Sequence, residues 1–190
     1  MKKIIIVLTI TVFTISALFI YRNCAYSLDK SVISSESKCS VIVYLNDPDK
    51  TGTNVRDNPG GKIVKKLPLE TDPANEAGIY LTIKKSKNGW LQIESVEYGE
   101  KKDASYKNTW VHGKLVGTGT TNYDEKPLGL YEKADKKSRV IAHLQGSQGV
   151  PVLACSGKWI YTEGKGKNKK KVSGWLDPDK QCSSAVTNCS

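Results

Sequence analysis

The sequence predicts an all-β protein made of two small units in tandem behind an export signal. Three observations carry this. Apolar residues alternate with others along short runs such as Val41, Val43 and Leu45, and turn residues interrupt the chain at short intervals. No segment beyond residue 27 holds a helical period; Asp72-Pro73-Ala74-Asn75-Glu76-Ala77 reads as at most one turn of helix in a loop. One pattern of strands and tryptophans occurs twice.

Met1-Lys2-Lys3 is a short cationic start, and Ile4 to Ile20 is nearly all apolar without a charge. Ala25 and Ser27 are small residues at the two positions a signal peptidase reads. Residues 1–27 are therefore read as a signal peptide cleaved after Ser27, and the protein as exported, periplasmic or secreted. The alternative is an uncleaved anchor, because the apolar run approaches the length of a membrane span. Tyr21-Arg22-Asn23 before Cys24 lacks the small apolar residues of a lipid-attachment site. Cleavage removes Lys2, Lys3 and Arg22 and no acid, so the net charge falls from +10 to about +7. Such a chain is drawn to anionic polymers. Outside a cell these are wall polymers, membrane surfaces and acidic proteins; nucleic acid suits the charge but not the export signal.

Cys24 leaves with the signal. Cys39, Cys155, Cys182 and Cys189 remain, and an even count in an exported chain favours disulfides. Cys155 precedes the Gly-Lys-Trp turn and Cys182 follows the last strand of the same unit, so these two are expected to pair. Cys39 is then left to Cys189, or both stay free. No two cysteines have the spacing of a zinc site.

Residues 28–40 read as a polar linker. The first unit, 41–117, contains "TNVRDNPGGKIVKKLP", "KKSKNGWLQI" and "NTWVHGKLV". The second, 128–183, contains "LGLYEKADKKSRVIAHLQ", "ACSGKWIYTE" and "VSGWLDPDKQC". Val55 matches Leu130, Arg56 matches Tyr131, Ile63-Val64 matches Val140-Ile141, and Leu67 matches Leu144. Trp90 matches Trp159, and Trp110 matches Trp175. Residues 118–127 between them read as a turn-rich hinge, and 184–190 as a tail. In the first unit Asn58-Pro59-Gly60-Gly61 is a tight turn: Pro59 fixes φ, and the following glycine tolerates positive φ. Units this small lie near the lower limit for a stable core, and closing the sheet into a barrel is one remedy.

The Asn-Val-Arg strand, the Pro-Gly turn, the Gly-Trp strand and the late Gly-Trp strand together resemble tandem bacterial SH3-like domains over roughly residues 41–182. "DPDKTGTNVRDNPGGKIV" carries most of the likeness. The second unit departs from it, with Gly-Leu-Tyr for Asn-Val-Arg and Ala134-Asp135 for the Pro-Gly turn. The resemblance implies a half-open barrel in each unit. It also implies a targeting or recognition role in the cell envelope, with peptidoglycan or its stem peptides as ligand.

The chemistry of catalysis is missing from the pattern. A wall peptidase of the NlpC type needs a cysteine nucleophile, a histidine base and an orienting group. Here the cysteines are assigned to disulfides, and His112 and His143 read as ordinary strand or loop histidines. There is no Gly-x-Ser-x-Gly elbow, no His-Glu-x-x-His and no phosphate loop. No enzyme activity, cofactor or metal is expected; Asp47, Asp49 and Asp57 read as turn caps rather than calcium ligands. Tyr44, Tyr80 and Tyr98 are the predicted ligand-binding residues, since a phenol offers a flat apolar ring and one wet end. Packing in the core competes with binding as the role of the four tryptophans. Lys165, Lys167, Lys169, Lys170 and Lys171 crowd "GKGKNKKKVSG", which is expected to be mobile and extended and to meet an anionic partner. A rival function is an exported immunity protein or inhibitor that neutralises a wall-degrading effector.

Overall fold

The computed structural model describes residues 29–67, 78–99, 101–121 and 126–184. The predicted signal segment 1–27, Asp72–Ala77, Cys189 and the tail beyond 184 lie outside the described residues. The chain is all-β, as expected. One short helix, α1 (Lys30–Ser34), precedes β1 (Ser37–Leu45), β2 (Thr53–Arg56), β3 (Ile63–Leu67), β4 (Ile79–Lys87) and β5 (Trp90–Tyr98). There follow β6 (Lys101–Asp103), β7 (Trp110–His112), β8 (Val116–Thr120), β9 (Leu128–Tyr131), β10 (Val140–Leu144) and β11 (Gly149–Pro151). The last four are β12 (Ala154–Ser156), β13 (Trp159–Lys165), β14 (Lys171–Leu176) and β15 (Gln181–Cys182). No helix among the described residues is long and apolar enough to cross a membrane.

The strands form two sheets. The first has the order β11-β8-β1-β4-β5-β7-β2-β3, with β6 on β5 and β15 on β8; the second has the order β10-β9-β14-β13-β12. The β2–β3 hairpin closes as its sequence requires. Gly60 takes φ +70°, and the Gly61 amide donates to the Asn58 carbonyl at 2.9 Å. That places Pro59 and Gly60 at the two central turn positions they favour. Beneath the first sheet, Val43, Val55, Leu81, Ile83, Leu91, Ile93 and Val111 are fully buried. Each such side chain contributes about 1.5–3 kcal/mol by leaving water. Leu130, Leu144 and Leu176 do the same for the second sheet.

Two features tie the halves of the chain together and differ from the sequence expectation. Residues 118–120, expected to begin a hinge, belong to β8. Its glycines are close approaches rather than turns: Thr118 and Thr120 are buried, while a Cβ on Gly119 would sit 3.3 Å from Cys182. β8 pairs with β1 on the first side and with β11 and β15 from beyond residue 128, so one sheet takes strands from both halves of the chain. The linker expectation also gives way, because residues 30–34 are helical and 37–40 open β1.

The second tie is the disulfide. Cys39 bonds Cys155, with Cα atoms 5.7 Å apart, so Cys155 does not pair with Cys182. Cys182 is itself disulfide-bonded. The cause is the seat of β1 beside the turn after β12. The Ser40 amide donates to the Gly157 carbonyl, and the Gly157 amide to the Lys38 carbonyl. That puts Cys39 next to β12, within the span a disulfide bridges.

Candidate functional site

Two aromatic surfaces stand at corresponding places on the two sheets. In the first, Arg56 pairs with Trp110, Trp110 with Gln92, and Trp90 with His112. Their neighbours Val55, Leu91 and Val111 are in the core, so by strand alternation these five side chains share the opposite face, where Trp110 is buried and Arg56, Trp90, Gln92 and His112 are half-buried. The Arg56 guanidinium lies 5.5 Å from the Trp90 ring centre. Its Nη1 also donates to the Gly61 carbonyl, so the turn predicted from the sequence holds the cation in place. His112 meets Trp90 edge-on at 5.0 Å, and its Nδ1 accepts from the Lys114 amide at 3.2 Å. Burial, then the charge of Lys114, hold the His112 pKa below its ordinary value. At neutral pH the site therefore offers a fixed guanidinium, a half-buried indole and an uncharged imidazole. Such a surface can stack on a flat or apolar group while donating N–H bonds to a carboxylate or carbonyl.

In the second sheet Tyr131 pairs with Trp175, and Trp175 with Tyr161. Tyr131 and Trp159 meet edge-on at 5.4 Å, and Tyr161 and Trp175 at 5.5 Å. This surface does not stand open. Val32 and Ile33 of α1 pack on it, and the Asp29 amide donates to the Tyr161 hydroxyl at 3.0 Å.

The predicted tyrosines divide. Tyr44 and Tyr80 lie directly opposite each other on β1 and β4 and share a face. Tyr44 reaches across β8 toward β11: a Cβ on Gly117 would sit 3.1 Å from its ring, and one on Gly149 would sit 2.7 Å from its hydroxyl. Burial raises its pKa. Tyr98 is not part of that group. Glu97 is the residue opposite Tyr80, so Tyr98 points to the other side of the sheet. There it packs on the core and donates to Asp103 Oδ2 at 2.8 Å, and burial followed by that bond raises its pKa.

The lysine stretch is compact rather than extended. Lys165 and Lys171 pair across β13 and β14, and a short 3-10 turn at 167–169 closes the tip. The side chain of Gln148 brackets Lys165, accepting from its amide at 2.8 Å and donating to its carbonyl at 3.0 Å. Lys171 is committed to Glu163 at 2.7 Å. The aspartates act as caps: Asp47 accepts from the Asp49 amide and the Thr53 hydroxyl, and Asp49 from the Thr51 amide. Among the described residues no group of three or more His, Cys, Asp or Glu could hold a metal ion.

No protein family matches the chain, and no curated protein does. Two solved structures from Trichomonas vaginalis show a likeness. NlpC1 is 12% identical over 82% of this chain with a TM-score of 0.30. NlpC2 is 13% identical over 76% with a TM-score of 0.28. The chain spans about half the length of each, 50% and 48%. A likeness this weak carries no functional argument.

Arg56 and His112 were not among the predicted binding residues, and for Trp90 the sequence left packing and binding both open. The signal for them was in the repeat: the residue after Val55 and Leu130, and the tryptophan that opens the later strand, are matched in both halves.

Proposed function

We propose that the protein is an exported, non-catalytic recognition protein of the cell envelope that binds peptidoglycan or its stem peptides. The observation that carries this reading is the Arg56–Trp90–His112 cluster on the outward face of the first sheet. A peptide carboxylate can meet the guanidinium while its aliphatic part lies on the indole. Read this way, each half of the chain is one SH3-like unit, and the matched registers of Arg56 with Trp110 and of Tyr131 with Trp175 support that reading. Cys39 and Cys155, being bonded to each other, supply no thiol nucleophile. The lysine tip at 165–171 adds attraction to anionic wall polymers, and exposed charges of this kind weaken as salt is added.

The test is retention of the full chain on purified sacculi, at low and high salt, beside Trp90→Ala. Truncating an anchoring tryptophan costs about 2 kcal/mol or more, so retention is expected to fall about thirtyfold at both salt concentrations. Equal retention of parent and variant removes the cluster from the site. A parent that ignores sacculi but captures a secreted wall-degrading protein establishes the inhibitor role instead.

A further inference from the structure

The helix α1 is a single turn, and a helix that short has no stability of its own in water. None of its residues is buried; Val32 and Ile33 are half-covered by the surface they sit on. Among the described residues its ties to the rest of the chain are few. The Asp29 amide donates to Tyr161, the Gly89 amide donates to the Ile33 carbonyl at 3.1 Å, and Glu36 bridges Lys85 and Lys87. The surface beneath is the reverse: Tyr161 and Trp175 are buried and set on paired strands. A hydroxyl that accepts a peptide N–H, beside an aromatic wall that takes two adjacent aliphatic side chains, is the chemistry of a peptide-binding surface.

We propose that the aromatic face of the second sheet is such a surface and that residues 29–36 are its resident occupant. When that segment lifts, the face takes a peptide of another protein with the same chemistry. The peptide is a single turn started by an aspartate, with two neighbouring β-branched side chains. Its N-terminal amide meets Tyr161, and its aliphatic pair lies on the cluster of Leu153, Ala154, Tyr161 and Trp175, with Trp159 at its edge. The contact of α1 supplies the template, and the shortness of α1 supplies the means of exchange. This surface lies on a different sheet from Arg56 and Trp90, and the proposal stands whether or not the first sheet binds peptidoglycan.

Hydrogen exchange on the unmodified full chain is the first test. The Ile33 and Ser35 amides, which donate within α1 to Asp29 and Ser31, are expected to exchange at least about a hundredfold faster than those of β13 and β14. Equal rates mean that α1 opens only with the whole fold and overturn the proposal. The second test adds a capped synthetic peptide, Asp-Lys-Ser-Val-Ile-Ser-Ser-Glu, to the same protein. Saturating peptide is expected to displace α1 and speed exchange at Ile33 and Ser35 further; unchanged exchange overturns the proposal. Val32→Asp with Ile33→Asp, in a protein whose circular dichroism matches the parent, is expected to bind the peptide at least tenfold more tightly, and adding Trp159→Ala is expected to abolish that gain. A folded double variant that binds no better than the parent also overturns it.

Discussion

The two aromatic surfaces occupy matched positions and meet solvent differently. On the first sheet the residue after Val55 is Arg56, a cation over Trp90, and the residue two beyond Trp110 is His112, an imidazole against the same ring. On the second sheet Tyr131 stands in the place of Arg56, and Tyr161 in the place of Gln92. Asp177 stands in the place of His112, is buried, and turns away to cap Asp179 and pair with Lys136. One surface carries its own polar groups and can face water. The other is nearly all aromatic, and exposing it would leave a large apolar patch; α1 covers it instead. Strand register decides which positions meet. The side chains at those positions decide whether the meeting place stands open or is covered.

The largest effect on this comparison comes from cutting the tie between the halves. Cys39→Ser with Cys155→Ser removes a cross-link spanning a sequence separation of 116, and the loop closed by it is worth about 4–5 kcal/mol by chain entropy. Urea unfolding of the double variant is expected to show a loss of that order. A loss below about 1 kcal/mol would mean that the non-covalent ties, β8 and the packing of Val152 and Ile160 in the first core, hold the halves together.

A smaller effect distinguishes the two surfaces directly. Arg56→Ala removes a cation–aromatic contact worth about 0.5–1 kcal/mol and leaves the rest of the face hydrated. Tyr131→Ala removes both an aromatic pair, worth about 0.5–1.5 kcal/mol beyond its burial, and the apolar area of the ring. Thermal unfolding should therefore rank Tyr131→Ala as clearly the more destabilising. The reverse order would mean that the second surface is not an interface that stabilises the fold.

The smallest effect is electrostatic and belongs to the segment that covers the second surface. Hydrogen bonds from Lys85 and Lys87 pull the Glu36 pKa from its ordinary 4.5 to about 2. A depressed carboxylate contributes above its unfolded value and loses the contribution as pH falls through its folded one. The tether after α1 should be intact above about pH 4.5 and lost toward pH 2, and Glu36→Gln should flatten that part of the stability–pH curve. An unchanged profile would show that the exposed pairs contribute nothing measurable.

The fold class and the β2–β3 hairpin were legible because their causes are local. Alternation from Val41 to Leu45 sets which face is apolar, and Pro59-Gly60 admits only a tight turn. The candidate site was legible in part. The repeat brought out Trp90, Trp110, Trp159 and Trp175, but the binding role went to tyrosines. That Tyr98 lies on the other face from Tyr44 and Tyr80 was not legible because a face assignment needs register: Tyr80 opposes Glu97, and a one-residue offset turns a side chain to the other face. The conformation of the lysine tip was not legible because charge repulsion suggested extension, whereas the Gln148 side chain and the ladder between β13 and β14 fold it back.

By itself the sequence determined the strands, their tight turns, the inward apolar positions and the paired tryptophans. Each depends on residues within a few places of one another. Tertiary structure alone decided that Cys39 bonds Cys155, that β8 accepts strands from beyond residue 128, and that α1 lies on the second sheet's aromatics. These contacts join segments far apart in the chain. No local period encodes them; they follow from which strand edges remain unpaired and which apolar faces remain uncovered once the local elements have formed.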